Sequence, residues 1–357
     1  MKSESIASKS SAASKVKRGT LPTAKERKSR ARQPEAQLEK PPAADQLVEA
    51  RQMRAVRLSI FGGPETLRVE EMAAPLPADD EVLLRVHAAG INPVDAKIRA
   101  GDFPRFHPRL PAVIGRDVSG VVVQIGRNAV GFREGNEVFG MLDYDRGAYA
   151  EYAVASAKEI TFKPPLVAHP TAAAIPVAAL TAWQALFDHG RLQRGQRVLI
   201  HGAGGGVGHF AVQFGRWSGA HVIAVCAAED LDFVRDLGAE EAIDYRAENL
   251  EYEAHGVDLV IDLVGGEARR RSWELLNPGG ILVSTLPAPI PEGRSDVSGR
   301  EVVVYPSSRR LNVIGSLVAA GVVKVVIEKM YPLAEASEAH RRMENEHSRG
   351  KMVLLMD

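Results

Sequence analysis

The sequence predicts an α/β protein in two parts, a compact β-barrel-type domain followed by a doubly wound parallel sheet. Three observations predict it. Short β-rich runs, punctuated by Gly and Pro, fill the chain from Met53 to about residue 165. Six strand candidates then begin 16 to 24 residues apart, most with a helical segment between them, which is the rhythm of parallel βα units. The first of those strands runs into a glycine-rich turn that opens a helix. With 357 residues, the chain exceeds the usual single-domain size of roughly 100–200 residues, so two domains are expected.

Residues 1–52 are rich in Ser, Ala, Lys, Arg and Pro and contain no aromatic residue. A segment so poor in apolar surface does not offset its ordering entropy, and it reads as a disordered extension. Ten Lys or Arg against Glu4 and Glu26 make residues 1–34 strongly basic, although the whole chain balances 45 basic with 45 acidic side chains. Such a tail suits a solvated segment or contact with nucleic acid. Its Ser-rich, acid-poor start also faintly resembles an organelle transit peptide, so organelle targeting stays open beside the cytoplasm as the expected location. Met53-Arg54-Ala55-Val56 begins the first strand-like segment, and Glu81–Val86, Val121–Val123 and Glu137–Phe139 continue the pattern.

Ala173–Leu186 reads as a helix. The strand candidates of the second part are Arg197–Ile200, His221–Cys226, Ala242–Asp244, Asp258–Val264, Gly280–Ser284 and Glu301–Tyr305. From Leu311 the pattern gives a helix, a strand, a second helix (Leu333–Met343) and a last strand (Met352–Met356). No apolar stretch reaches the roughly 20 residues that a membrane-spanning helix needs. The single cysteine, Cys226, precludes an intramolecular disulfide and any zinc site with two or more cysteines.

The strongest motif is Val198-Leu199-Ile200-His201-Gly202-Ala203-Gly204-Gly205-Gly206-Val207-Gly208. Ala203, Gly205 and Gly208 give A-x-G-x-x-G, a variant of the dinucleotide fingerprint. The turn must be tight, the backbone at Gly205, Gly206 and Val207 must approach a pyrophosphate, and Gly208 must let the helix pack close to the strand. The helix N-terminus then offers unpaired N–H groups to the anion. Sites that prefer NAD place an acidic residue at the tip of the second strand. Here that strand ends in Cys226-Ala227-Ala228, which leaves room for a 2′-phosphate. NADPH is the expected cofactor and NADH the alternative, since Glu229 and Asp230 follow at once.

In its ordered series of motifs the chain resembles the zinc-free quinone oxidoreductase (zeta-crystallin-like) branch of the medium-chain dehydrogenase/reductase superfamily. The series includes Gly90-Ile91-Asn92-Pro93-Val94-Asp95-Ala96-Lys97, Leu110-Pro111-Ala112-Val113-Ile114-Gly115-Arg116-Asp117 and Gly147-Ala148-Tyr149-Ala150-Glu151-Tyr152. It continues through Leu180-Thr181-Ala182, the glycine turn, Ile243-Asp244-Tyr245 and Asp262-Leu263-Val264-Gly265-Gly266, and ends at Arg349-Gly350-Lys351. The resemblance implies a GroES-like catalytic domain over residues 53–172, completed by 311–357, and a Rossmann domain over 173–310. A homodimer is implied in the same way.

The resemblance further implies that Asn92 and Lys97 act in the cleft, with Lys97 holding a developing oxyanion. It places Thr181 by the nicotinamide carboxamide, Tyr245 by the adenosine phosphate, Val264 and Gly265 by the nicotinamide ribose, and Lys351 at the cofactor. Asn92 and Arg116 stand where the superfamily's alcohol dehydrogenases have zinc ligands, so no metal is expected. Without zinc, the expected reaction is hydride transfer from NADPH to a quinone or an α,β-unsaturated carbonyl, whose negative charge is delocalised onto oxygen. The alternatives are reduction of another activated double bond or small carbonyl, and a non-catalytic NADPH-binding, RNA-binding or crystallin-like structural role.

Overall fold

The computed structural model describes residues 51–246 and 254–356. The expectation for the N-terminal extension lies outside the described residues, apart from Arg51 and Gln52. Strand β1 (Gln52–Leu58) pairs antiparallel with β2 (Leu67–Ala73) and with β4 (Ala112–Val113). Strand β3 (Glu81–Ile91) buries Val82, Leu83 and Leu84 at its start, then exposes Arg85 and buries Val86. It pairs with β5 (Asp117–Ile125) and β7 (Tyr152–Ser156), and β5 leads on to β6 (Glu137–Met141) and β8 (Ile160–Phe162). On the edge of β3 that carries β7, its second half pairs with β16 (Lys351–Leu355), which in turn pairs with β15 (Ile327–Pro332), so the end of the chain returns to this seven-stranded sheet.

The second sheet is entirely parallel. Its strands are β9 (Arg197–His201), β10 (His221–Cys226), β11 (Glu241–Asp244), β12 (Val257–Asp262), β13 (Leu276–Ser284) and β14 (Ser298–Glu301), in the spatial order 11-10-9-12-13-14. The runs Val198–Ile200 and Leu259–Ile261 are buried throughout because both sheet faces are covered. Val198, Ile200, Val222, Leu259 and Ile261 join a core with Phe210 and Phe214, whereas Leu199, Ile223 and Val260 join another with Trp273 and Leu275. The strand order reverses between β9 and β12. In a doubly wound sheet, the crevice beyond the strand ends at such a switch point is where ligands bind.

Two elements differ from expectation. The helix expected over Ala173–Leu186 is broken into α2 (His169–Ala173), α3 (Pro176–Trp183) and a π-helical turn over Gln184–His189. Pro176 has no N–H to continue a helix, and the next amide, Val177 N, donates to the Asp117 carboxylate at 2.7 Å instead. The sixth strand was expected at Glu301–Tyr305 but lies at Ser298–Glu301. Beyond Val302 the chain leaves the sheet because the Gln184 side chain takes both backbone groups of Tyr305, accepting from its N–H and donating to its carbonyl. The remaining helices are α1 (Pro93–Ala100), α4 (Gly208–Ser218), α5 (Leu231–Asp236), α6 (Gly266–Leu275), α7 (Ser308–Ala319) and α8 (Ala336–Asn345). No helix among the described residues is long and apolar enough to cross a membrane.

Candidate functional site

The turn after β9 is closed to larger residues at Gly208, by neighbouring backbone, and at Gly204, by a carboxylate. A Cβ on Gly208 would sit 2.1 Å from the Gly202 carbonyl oxygen and 2.6 Å from the Ala203 Cα. One on Gly204 would meet the Asp230 carboxylate at 2.4 Å. Helix α4 therefore starts directly against the end of β9. On the far side of the switch point, the buried Asp262 shapes the turn after β12. Its Oδ1 accepts from Val264 N at 3.1 Å and Gly265 N at 2.7 Å, while Oδ2 accepts from Ser284 Oγ at 2.7 Å. That carboxylate holds the loop so that Val264 lines the crevice.

Between these turns lies a cavity of 530 Å³, within the size range of small-molecule sites. One end is formed by Asn92, Ala178 and Lys351, the middle by Gly204–Gly208 and Val264, and the other end by Cys226, Tyr245, Arg246 and His347. Of the residues expected at the site, Asn92, Gly205, Gly206, Val207, Gly208, Cys226, Tyr245, Val264 and Lys351 line it. Ala203 and Gly265 stand behind the lining as turn residues. Thr181 is buried in α3, with its hydroxyl donating to Val177 O at 2.7 Å, and lies outside the lining. Lys97 is exposed on α1 and also outside it. The lysine the fold brings to the cavity is Lys351, delivered by β16.

The end around Asn92 is a buried polar network. Asn92 caps α1 in a capping box, its backbone N–H donating to Asp95 Oδ2 at 2.9 Å, with Pro93 in the first helical turn. Its side-chain Nδ2 donates to Asp117 Oδ2 at 2.9 Å. Lys351 Nζ donates to the Ile91 carbonyl at 2.8 Å, to Asn92 Oδ1, and to Asp117 Oδ2 at 3.3 Å. Asp95 also accepts from the Tyr149 hydroxyl at 2.9 Å, which lies 3.2 Å from His340 Nε2. Burial, reinforced by the nearby Asp117 charge, raises the Asp95 carboxyl to about 7. Burial pushes His340 down to about 3, so this histidine is neutral.

The opposite end is organised by Asp230. Its carboxylate is wholly buried and accepts from His347 Nε2 at 2.6 Å and Arg349 Nε at 2.7 Å. Its charge is therefore taken up by side chains from the segment before β16. Cys226, at the tip of β10, is 5% exposed, and burial pushes its thiol up to about 12, so it is an uncharged wall. Arg246 lies over the Tyr245 ring and donates to its hydroxyl at 3.1 Å. Arg235 pairs with Asp232 and stands outside the lining. His347, Asp262 and Asp117 were not among the expected site residues. Asp262 had a readable signal, an Asp two residues before Val264-Gly265-Gly266, a pattern suited to an Asx turn. His347 had none.

Asn92 and Arg116 do not fit a zinc ion. The Asn92 oxygen faces the Lys351 ammonium. Arg116 is a buried cation without a lone pair to donate, its Nε bonded to Leu142 O at 3.0 Å and its guanidinium 3.7 Å above the Tyr144 ring. Among the described residues, no three His, Cys, Asp or Glu side chains are grouped to hold a metal.

Comparison with known proteins adds to this geometry. Residues 78–165 match the alcohol dehydrogenase GroES-like domain, and residues 237–354 match the zinc-binding dehydrogenase model. The human protein named NAD(P)H oxidoreductase RTN4IP1, mitochondrial, is 34% identical over 343 residues, covering 82% of this chain and 87% of its own. The spinach quinone-oxidoreductase homolog, chloroplastic, is 34% identical over 325 residues, covering 85% and 99%. Among solved structures, the quinone oxidoreductase from Coxiella burnetii superposes with a TM-score of 0.80 at 32% identity, over 86% of this chain and all of that one. The Escherichia coli quinone oxidoreductase complexed with NADPH gives 0.77 at 27% identity, over 85% and 99%.

Proposed function

Because the chain belongs to the quinone oxidoreductase-like branch of the medium-chain dehydrogenase/reductase superfamily, and so is an oxidoreductase, we propose that it reduces a quinone or an α,β-unsaturated carbonyl with NADPH and without zinc. The observation that carries this reading is the continuous cavity from the glycine turn to Asn92, an amide donor at the position the resemblance assigns to a zinc ligand. In this reading, residues 53–172 with 311–357 are the catalytic part and 173–310 the cofactor part.

Gly205, Gly206 and Val207, with the N-terminus of α4, would hold the pyrophosphate through backbone N–H groups. Tyr245 and Arg246 would flank the adenosine, with Arg246 supplying the positive charge for a 2′-phosphate. Val264 and Gly265 would support the nicotinamide ribose. When bound, the dinucleotide supplies the hydride. The protein's part is to orient the acceptor against it, to exclude water, and to stabilise the negative charge that appears on the acceptor oxygen. Quinones and enones suit a site without a Lewis acid because their own conjugation spreads that charge. The acid-poor segment over residues 1–34 suits delivery to an organelle as well as residence in the cytoplasm, and subcellular fractionation decides between them.

The test is steady-state NADPH oxidation by the full chain with a panel of quinones, enones and saturated carbonyls. Turnover restricted to quinones and enones, and unchanged by chelators, is expected. NADPH binding without turnover on any acceptor would leave a binding role, and turnover only with saturated carbonyls would move the assignment to carbonyl reduction.

A further inference from the structure

We propose that Lys351 is a positioning residue rather than a cofactor contact, and that with Asp117 it fixes Asn92 so that one amide hydrogen of Asn92 is reserved for the substrate oxygen. This rests on the reductase reading above and deepens it. An ammonium has three hydrogens and no acceptor. Lys351 is 3% exposed, and its Nζ has three protein acceptors: the Ile91 carbonyl, Asn92 Oδ1 and Asp117 Oδ2. None of its hydrogens is left for a phosphate, a carboxamide or a substrate oxygen.

The same contacts settle the orientation of the Asn92 amide. Facing a group that only donates, Asn92 presents its oxygen to Lys351. Its nitrogen then faces Asp117 Oδ2, which only accepts when ionised. Asp117 is fixed in turn, because its other oxygen accepts from Val177 N at the start of α3. Space for that carboxylate depends on Gly90, where a Cβ would lie 2.7 Å from Asp117 Oδ2. Asn92 thus has its oxygen and one Nδ2 hydrogen committed. Its second Nδ2 hydrogen has no acceptor among the described residues, and Asn92 lines the cavity.

The lysine stem ties this clamp to the cofactor end. A Cβ on Gly206 would lie 3.2 Å from Lys351 Cδ, and Gly350 N donates to the Gly204 carbonyl at 3.0 Å. The stem therefore lies across the glycine turn while the ammonium reaches the amide. In the reaction, the hydride forms a new C–H bond at the acceptor carbon. A π electron pair of the acceptor moves onto its oxygen, which accepts the Asn92 hydrogen bond as it becomes negative, and a solvent proton then neutralises the product. A donor already held in place stabilises that oxygen without reorganising when charge develops.

The experiment compares Asn92→Ser, Lys351→Met, Lys351→Gln and the Asn92→Ser/Lys351→Met double variant, in the full chain. The readouts are kcat with benzoquinone and with methyl vinyl ketone, and the NADPH Kd by fluorescence titration. Serine keeps the helix cap but is too short to span from Lys351 to a substrate. Asn92→Ser and Lys351→Met should each lower kcat by about a hundredfold. The NADPH Kd should stay within about threefold of the native value, and the double variant should be no worse than the poorer single one. Lys351→Gln keeps an N–H for Asn92 Oδ1 and should recover part of kcat. If Lys351→Met does not fold, Lys351→Gln takes its place in the cycle, with thermal melting as the control. Losses that multiply in the double variant would overturn the proposal. So would weakening of NADPH by more than about tenfold in a lysine variant that keeps native kcat at saturation. Native protein that binds NADPH but turns over no acceptor would instead defeat the reductase reading, and that is seen before any variant is compared.

Discussion

The two ends of the cavity are made differently. At the glycine turn the chain offers backbone: Gly204 to Gly208 bring amides and a helix terminus to the site, and side chains are excluded by contacts of 2.1 to 2.4 Å at Gly208 and Gly204. Around Asn92 the chain offers buried ionisable side chains, with Asp95, Asp117 and Lys351 each at most 3% exposed and held by specific partners. Gly208 tolerates no added atom, whereas a charge network tolerates no missing partner. Mutations should therefore fail in opposite ways at the two ends.

The largest effect is expected at the backbone end. Gly208→Ala places a Cβ against the Gly202 carbonyl and should destabilise the fold by about 3 kcal/mol, the upper part of the usual overpacking range. Thermal melting and NADPH titration check this. A variant that keeps native melting and affinity would show that the turn has slack which the contacts at Gly208 deny.

A more moderate effect is expected at the tip of β10. Cys226→Asp puts a carboxylate where the 2′-phosphate would lie and offers an acceptor to the ribose hydroxyls instead. The preference for NADPH over NADH should move toward NADH by about ten- to a hundredfold, the worth of one charge-assisted hydrogen bond. Titration of both cofactors measures it, and an unchanged ratio would remove Cys226 from cofactor selection.

The smallest effect is a pH dependence at the charged end. The Asp95 carboxyl is raised to about 7 in the folded protein against an ordinary value near 4. The folded state holds this proton more tightly than the unfolded state does. The resulting stability is complete below the unfolded value and is lost as pH rises toward 7. Asp95→Asn should therefore show a flatter decline of melting temperature between about pH 4 and pH 7 than the native protein. Parallel pH profiles would exclude Asp95 as the source.

These two ends also differ in how much of them is legible in the sequence. The glycine turn, the strand before it and the helix after it lie within a few consecutive residues, so spacing alone reveals them. The parallel sheet follows from the regular βα rhythm, although its strand order does not. The Asn92 clamp unites residues 92, 117 and 351, and only tertiary structure tells that Lys351 is buried while Lys97 is solvated. Local pattern treats these two lysines alike. Thr181 looks like a site hydroxyl in the sequence; in the structure its hydrogen goes to the preceding helical turn at Val177 O, and its oxygen keeps its acceptor capacity. The helix break was readable at Pro176, because a proline there ends the ladder whatever surrounds it. The early end of the sixth parallel strand was not, since it depends on Gln184 capturing Tyr305 across 121 residues.

On the proposed function, the dinucleotide passes a hydride directly to an activated acceptor in this cavity. The most direct test uses NADPH deuterated on the transferred face of the nicotinamide ring, with methyl vinyl ketone as acceptor. One deuterium is expected on the β-carbon of the saturated product, with slower turnover of the labelled cofactor. Unlabelled product, with the deuterium lost to water, would contradict it.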